Sequence, residues 1–285
     1  MIELGPIGVF DSGYGGLTIL KEFQKSLPEY DYLYLGDNAR SPYGIRSFDT
    51  IYEYTLEAVN FLFAQGCHLI ILACNTASAK ALVNIQKLDL PLIDSQKRVL
   101  GVIRPTAERL GELSESKHVG ILATEGTVSS ESYLMEMKKL FPDVRVFQEA
   151  CPMWVPLIEN GELDSEGARY FIKRNIDNLL IQSNEIDTIL LGCTHYPVLA
   201  DVIREYIPEH IQLLPQGGIV ANSLKDYLTR HPEMKEKCLK DGQTTYLTTG
   251  SAEDFDKRAT SFLSEEIYSS RIENLKSIVL DSKIY

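Results

Sequence analysis

Two cysteines occupy matching places in the chain, each at the end of a short apolar run. Cys74 closes "LIILAC" (69–74) and Cys193 closes "TILLGC" (188–193), and both are followed by small polar residues. A thiol with its ordinary pKa of about 8.5 is only slightly ionised at neutral pH, so it needs a partner to act as a base. Two thiols on opposite sides of one carbon could remove a proton from one face and deliver one to the other. The pair therefore predicts proton transfer with inversion.

Candidate partners for both thiols lie close in the sequence. His195 follows Cys193 by two residues, and Asp11 ends the first apolar run of the chain. A bare carboxylate would raise the pKa of a neighbouring thiol, so we expect Asp11 to orient Cys74 or to accept a proton. We also predict a helix after each cysteine, whose N-terminus favours negative charge.

The cysteines also allow other interpretations. A lone cysteine at a strand end is usually a packing residue, which is how we interpret Cys67, Cys151 and Cys238, as filler or surface positions. Cys193 and His195 are also the pair that a one-cysteine hydrolase would use, although that leaves Cys74 unexplained. The chain has no C-x-x-C and no further ligands at a recognisable spacing, so we predict no metal site.

Length, charge and cysteine usage limit the class of protein. With 285 residues and 44% apolar content, the chain is long enough for one large domain or two smaller ones. Its formal charge of −12 argues against nucleic acid and anionic membranes as partners. The acidic start "MIELGPIGVF" and the lack of a long apolar run predict neither a signal peptide nor a membrane span. Five scattered cysteines argue against disulfides, so we expect a cytoplasmic protein.

Short apolar runs alternate with helix-like segments along the chain. Two helices are predicted over 16–27 and over 48–65, the second with Ser47 as its N-cap and Gly66 at its end. The alternation predicts parallel βαβ units. The predicted strands, buried on both faces, are 7–10, 32–37, 69–74, 119–124, 188–193 and 211–215.

An internal similarity predicts two related halves. "IGVFDSGYGGLT" (7–18) and "VGILATEGTVSS" (119–130) both run from strand to polar turn to helix, which places Ser12 opposite Thr124. Cys74 and Cys193 follow these turns at similar distances. We therefore predict an α/β fold of two similar doubly wound parallel-sheet domains, related by pseudo-twofold symmetry. The active site would lie in the cleft between them, beyond the carboxyl ends of the strands.

Two loops are candidates for binding. The glycines of "FDSGYGG" (10–16) do not fit a dinucleotide fingerprint, so we predict that Ser12 and the backbone amides bind a carboxylate at the helix N-terminus. "GDNARSPYG" (36–44) follows a strand end and is predicted to form a wall of the cleft.

Seven stretches together carry a resemblance to the glutamate racemases of the aspartate/glutamate racemase family. They are "FDSGYGGLT", "YLGDNARSPYG", "ACNTASA", "GVIRP", "GILATEGTVSSESY", "CPMWVPLIENGE" and "LGCTHYP", in this order over about residues 7–200. "ACNTAS" with "GCTHYP" at this separation is highly specific. The resemblance implies that the chain returns to its first domain, so the domains would comprise 1–99 with 213–285, and 100–212.

The resemblance also implies roles for individual residues. Cys74 and Cys193 would be the two acid/base residues at the α-carbon of glutamate, Asp11 would assist Cys74, and His195 and Glu159 would assist Cys193. No pyridoxal phosphate, other cofactor or metal is expected. The residues implied to bind the substrate are Asp11, Ser12, Tyr43, Gly44, Asn75, Thr76, Thr124, Thr127, Thr194 and His195.

The family also implies a biological role, the supply of D-glutamate for peptidoglycan and hence for cell shape, and we expect a homodimer. Three alternatives remain: a related racemase acting on aspartate or a hydantoin, the Cys193/His195 hydrolase, and a non-catalytic binding protein on the same fold. The sequence departs from the common family pattern at "SQKRVL" (95–100) and at "PQGG" (215–218). We expect both departures to affect the hinge or an interface rather than the chemistry.

Overall fold

Two parallel β-sheets organise the computed structural model, which describes residues 3–273 and 275. The larger sheet has the order β10-β9-β2-β1-β3-β4, and the smaller has the order β6-β5-β7-β8. Every recorded strand pair is parallel, which confirms the predicted fold class. The strands are β1 (Ile7–Asp11), β2 (Tyr32–Gly36), β3 (Leu69–Leu72), β4 (Arg98–Gly101), β5 (His118–Ala123), β6 (Arg145–Ala150), β7 (Thr188–Gly192), β8 (Gln212–Leu214), β9 (Thr244–Thr248) and β10 (Ser269–Arg271).

Helices connect most of these strands. Short 3-10 turns occupy Asn38–Arg40 and Tyr196–Leu199, and a π-helical turn occupies Ile85–Asp89. The α-helices are α1 (Leu17–Ser26), α2 (Phe48–Ala64), α3 (Asn75–Lys80), α4 (Leu82–Asn84), α5 (Leu90–Ile93), α6 (Ile103–Leu113), α7 (Glu125–Ser129), α8 (Ser132–Leu140), α9 (Trp154–Glu159), α10 (Glu166–Leu180), α11 (Ala200–Arg204), α12 (Gly217–Arg230), α13 (Pro232–Lys235) and α14 (Ala252–Leu263).

The two sheets repeat one strand order. β2-β1-β3-β4 in the larger sheet corresponds to β6-β5-β7-β8 in the smaller one, in both sequence order and direction. The turn after β1 therefore corresponds to the turn after β5, and the end of β3 to the end of β7. Ser12 and Thr124 occupy one pair of equivalent positions, and Cys74 and Cys193 the other. The internal similarity in the sequence thus has a topological counterpart.

Both faces of each sheet are covered. In β1, Val9 and Phe10 belong to different hydrophobic clusters, and in β5 the same is true of Ile121 and Leu122. Neighbouring residues in a strand point to opposite faces, so a sheet whose strands feed two clusters is buried on both sides. Val9 and Leu122 belong to the same cluster, which shows that one apolar core joins the two halves.

The two predicted helices form with the predicted signals. The Oγ of Ser47 accepts a hydrogen bond from the backbone N–H of Thr50 at 3.3 Å, which caps α2. Gly66 follows the end of α2 with a φ of +89°, a conformation that glycine adopts without steric cost. The segment "SQKRVL" (95–100) contributes its last three residues to β4, which is an edge strand of the larger sheet.

The chain returns to the larger sheet after β8. β9 pairs with β2, and both α12 and α14 pack against α1. β4 ends at Gly101 and β8 at Leu214, just beyond the predicted boundaries near 100 and 213. The domain division itself stays a prediction, and its positions 1, 2, 274 and 276–285 lie outside the described residues. Within those residues, no helix is both long and apolar enough to span a membrane.

Candidate active site

A cavity lies where the carboxyl ends of strands from both sheets meet. Cys74 follows β3 and Cys193 follows β7, and the two cysteines reach this cavity from different halves of the chain. It encloses about 60 Å³, room for a few water molecules. The predicted site residues that line it are Ser12, Tyr43, Gly44, Cys74, Asn75, Thr76, Thr124, Cys193, Thr194 and His195.

The Cys74 wall of the cavity consists of Cys74, Asp11 and Ser12. The Sγ of Cys74 donates to the Oγ of Ser12 at 3.5 Å. Asp11 is completely buried, and burial raises its pKa although His195 acts in the opposite direction. Burial, followed by the charge of Asp11, raises the pKa of Cys74 to about 12. Cys74 therefore holds its proton at neutral pH.

The Cys193 wall consists of Cys193, His195 and Glu159. The Nδ1 of His195 lies 3.9 Å from the Sγ of Cys193, and its Nε2 lies 3.0 Å from the Oε1 of Glu159. Burial alone would lower the pKa of His195, but the hydrogen bonds to Cys193 and Glu159 raise it to about 10. An imidazolium suits this position because both of its nitrogens donate. The ring is therefore protonated at neutral pH.

Asp11 and Glu159 are behind the cavity surface rather than on it. The Oδ1 of Asp11 accepts from the backbone N–H of Gly13 at 2.9 Å, and its Oδ2 accepts from the Oγ1 of Thr194 at 3.4 Å. Glu159 reaches the cavity through His195. Both carboxylates consequently contact residues that line the cavity, Asp11 through Thr194 and Glu159 through His195.

Three threonine hydroxyls lie together at the junction of the two halves. The Oγ1 of Thr76 is 2.9 Å from that of Thr124 and 3.4 Å from that of Thr127, and the latter two are 3.1 Å apart. Thr127 is buried behind the other two. Beside them, the backbone N–H of Gly126 donates to the carbonyl oxygen of Gly44 at 2.8 Å. This junction offers several hydroxyl groups that could bind a carboxylate.

The predicted loop wall is held by a buried ionic cluster that the sequence did not indicate. The hydroxyl of Tyr43 donates to the Oδ2 of Asp37 at 2.5 Å, and the same oxygen accepts from the Nε of Arg40 at 2.7 Å. Arg40 also donates to Glu57 at 2.5 Å. Asp37 is completely buried, so these bonds compensate its charge and fix the loop that carries Tyr43.

Close packing explains one glycine of "FDSGYGG". A Cβ at Gly15 would lie 2.3 Å from the Oγ1 of Thr194 and 2.4 Å from the Nδ1 of His195. Any side chain at this position would therefore displace the Cys193 wall. The loop after β1 thus contacts the opposite half of the cavity.

A third cysteine lines the cavity. Cys151 is fully buried beside Pro152, Val155 and Pro156, and burial raises its pKa well above the ordinary value. The sequence predicts a filler or surface residue at this position, and the structure shows a buried one. Cys67 and Cys238 are also buried, so none of the three is on the surface.

The arrangement provides two thiols and hydrogen-bond donors around one small space. Cys74 and Cys193 both line this space, together with the hydroxyls of Ser12, Thr76, Thr124 and Thr194. In the described part of the chain, no three His, Cys, Asp or Glu side chains are grouped so that they could hold a metal ion. The fold and cavity define a parallel α/β protein in which two buried thiols line one cavity.

Comparisons with known proteins agree with this class. The sequence profile described as Asp/Glu/Hydantoin racemase matches residues 17–222. The chain is 42% identical over 271 residues to a curated glutamate racemase of Ruegeria sp. (strain TM1040), covering 92% of this chain and 97% of that protein. The chain therefore belongs to the Asp/Glu/hydantoin racemase family, as the resemblance predicted, and is an isomerase, an amino-acid racemase.

Solved structures give the same result. A glutamate racemase isoform of Bacillus anthracis superposes with a TM-score of 0.86 at 31% identity, covering 94% of this chain and 97% of that one. A glutamate racemase of Francisella tularensis, solved in complex with D-glutamate, gives 0.84 at 30% identity, covering 96% and 98%. The two-sheet architecture is that of these structures.

Proposed function

We propose that this protein interconverts L-glutamate and D-glutamate by a two-base proton transfer between Cys74 and Cys193, without a cofactor. The observation that carries the proposal is the pair of buried thiols, which come from topologically equivalent strand ends and line one cavity. Support for glutamate comes from the curated relatives and from the bound D-glutamate of the Francisella structure.

In each direction one cysteine acts as the base and the other as the acid. A thiolate takes the α-proton, leaving the electron pair on the α-carbon and its carboxylate, and the opposite thiol returns a proton to the other face. The thiolate and thiol have then exchanged places, so a proton exchange with solvent resets the enzyme. Cys74 holds its proton at neutral pH and can serve as the acid in the resting state.

Removal of an α-proton requires stabilisation of the charge that develops on the carboxylate. The hydroxyls of Ser12, Thr76, Thr124 and Thr194, together with Asn75, supply hydrogen-bond donors around the cavity. One such donor aimed at developing charge can contribute about 3 kcal/mol. We propose that these residues, with Tyr43, Gly44 and Thr127, bind the substrate, and that Asp11 and His195 contact its polar groups.

The auxiliary residues differ in how they act. We propose that Glu159 keeps the His195 ring protonated beside Cys193 through the 3.0 Å hydrogen bond to Nε2. Asp11 acts on the other wall, as an orienting group or proton acceptor near Cys74 rather than as a group that ionises the thiol. Each wall would then have one thiol and one buried titratable partner.

A hydrolase would use a nucleophile, a base and an orienting carboxylate in this order. The hydrogen-bonded series Cys193, His195 and Glu159 has the same order. That alternative gives Cys74 no role, although it lines the same cavity. It predicts a covalent acyl-enzyme on Cys193, which intact-protein mass spectrometry would detect after incubation with an ester or amide substrate. A racemase shows no such adduct.

The substrate is tested by following optical rotation or circular dichroism with purified protein and D-glutamate, without added cofactor. We expect racemisation of glutamate and at least about tenfold lower kcat/KM with aspartate, because one missing methylene is worth 1–3 kcal/mol. A larger kcat/KM with aspartate or a hydantoin than with glutamate would show that glutamate is not the preferred substrate. Binding without any turnover would favour the non-catalytic alternative.

We further propose a cytoplasmic homodimer that supplies D-glutamate for peptidoglycan synthesis, and the domain division 1–99 with 213–285 and 100–212. Complementation of a D-glutamate auxotroph tests the role, and light scattering after size exclusion tests the oligomeric state. A strain that still requires D-glutamate while the active protein is expressed would contradict the role.

A further inference from the structure

A buried cluster of amide and hydroxyl groups lies directly behind the Cys74 wall. Its members are Asn75, which follows Cys74, Gln216, which precedes α12, and Tyr133 and Thr106 from the second half. Each is at most 2% exposed. Only Asn75 lines the cavity. Buried polar groups that are fully bonded fix one another's orientation.

Gln216 and Asn75 form a reciprocal amide pair. The Nδ2 of Asn75 donates to the Oε1 of Gln216 at 2.6 Å, and the Nε2 of Gln216 lies 3.2 Å from the Oδ1 of Asn75. The hydroxyl of Tyr133 also donates to that Oδ1, at 2.8 Å. Gln216 therefore engages one hydrogen of the Asn75 Nδ2, and because Asn75 lines the cavity, the second hydrogen can bind a ligand there.

The position of Gln216 is itself fixed from both sides. Its Nε2 lies 2.7 Å from the hydroxyl of Tyr133 and 3.0 Å from the Oγ1 of Thr106. A Cβ at the next residue, Gly217, would lie 2.8 Å from Cγ of Glu22, so α12 begins in close contact with α1. The start of α12 therefore connects Asn75 to both halves of the molecule.

We infer that Gln216 is a positioning residue that sets the orientation of the Asn75 amide toward the substrate. The inference rests on the proposed function and assigns a task to one residue of the turn "PQGG" (215–218). Gln216 does not itself line the cavity and acts through Asn75, to which it is hydrogen-bonded. An amide that binds substrate and transition state alike affects KM more than kcat.

Gln216→Met tests this inference because it keeps the length of the side chain and removes its hydrogen bonds. We expect the KM for both glutamate enantiomers to rise about tenfold, with kcat changed less than about twofold. The matched control is Gln24→Met. Gln24 is a partly buried glutamine that, like Gln216, donates to two side-chain hydroxyls, in this case those of Thr244 and Tyr246, but it lies outside the cavity. Its KM should equal that of the wild type.

A double-variant cycle separates positioning from general damage. If Gln216 acts through Asn75, adding Gln216→Met to Asn75→Ala should leave KM nearly unchanged from Asn75→Ala alone. Multiplying effects, or an unchanged KM in Gln216→Met, would overturn the inference. If Gln216→Met does not fold, Tyr133→Phe replaces it as the test variant. The Tyr133 hydroxyl bonds both Asn75 and Gln216, so its loss should raise KM in the same way. A wild type without glutamate turnover would instead overturn the proposed function.

Discussion

Cys74 faces a buried carboxylate, whereas Cys193 faces an imidazole ring that is itself held by a carboxylate. The two cysteines occupy equivalent places in a repeated strand order, yet their surroundings have opposite electrostatic character. The repeated scaffold brings two like groups to one cavity, and the residues added to each turn make the two groups different. A two-base reaction uses this difference, because one group must start as an acid and the other as a base.

The largest expected effect comes from removing either thiol. A serine hydroxyl is far less acidic than a thiol, so we expect Cys74→Ser and Cys193→Ser each to lower the rate of net racemisation about a thousandfold. Because enantiomers have equal free energies, each variant must lose kcat/KM equally in both directions. Cys67→Ser, a buried cysteine outside the cavity, is the control and should keep kcat/KM. A variant that stays active would remove its cysteine from the mechanism.

The next comparison concerns the partners of the two thiols. We expect His195→Asn to lower kcat/KM about a hundredfold, because it removes the protonated ring beside Cys193. His118→Asn is a matched control, since His118 also pairs with a glutamate at 3.0 Å but outside the cavity. Equal losses of kcat/KM in His118→Asn and His195→Asn would contradict the assignment.

Asp11→Asn should lower kcat/KM about tenfold or more. Because the carboxylate charge is then gone, the change should also lower the pKa of Cys74.

A smaller effect is expected from Glu159→Gln. This change keeps a hydrogen-bonding side chain and removes the charge that helps raise the pKa of His195 to about 10. The pKa of the ring should fall, and kcat/KM should decrease about three- to tenfold, more at alkaline pH than at neutral pH. NMR titration of the His195 ring measures the first change directly. A ring that still titrates near 10 would show that Glu159 does not set its charge.

The smallest effect is on stability. The folded-state pKa of His195, about 10, lies above its ordinary value of 6.5, so the protonated ring stabilises the folded protein. This contribution is complete below about pH 6.5 and is lost as the pH rises through about 10. The difference in unfolding free energy between wild type and His195→Asn should shrink over that interval in denaturant titrations. A difference that stays constant between about pH 6.5 and 10 would mean that the ring is already neutral in the folded protein.

Apolar runs in the sequence predicted much of the fold. The strands that were not predicted lack a continuous apolar run. Runs buried on both faces predicted central strands such as β1, β3, β5 and β7. β6 and β10 are edge strands with partly exposed residues, so neither gives a continuous apolar run. β9 reads "TTYLT", and its threonines hide its place beside β2.

Some residues of the candidate site were predicted from the sequence and others were not. Strand ends and the internal similarity predicted that Cys74 and Cys193 would share a cleft, and the position of His195 was evident from its spacing. Gln216 was not predicted because its partner Asn75 is 141 residues away. Asp37 was not predicted although Arg40 and Tyr43 are close in sequence, because a local pattern does not show that their side chains turn back onto one buried carboxylate. Nothing in a local pattern distinguishes a glutamine that orients a cavity residue from one on the surface.

Proton NMR in D2O with D-glutamate, without added cofactor, tests the two-thiol reaction most directly, using the wild type beside Cys74→Ser and Cys193→Ser. The account predicts that the wild type forms L-glutamate carrying solvent deuterium at the α-carbon, while the remaining D-glutamate keeps its proton early in the reaction. Both variants should form no L-glutamate on that time scale. Formation of L-glutamate by either variant at a rate near that of the wild type would contradict the account.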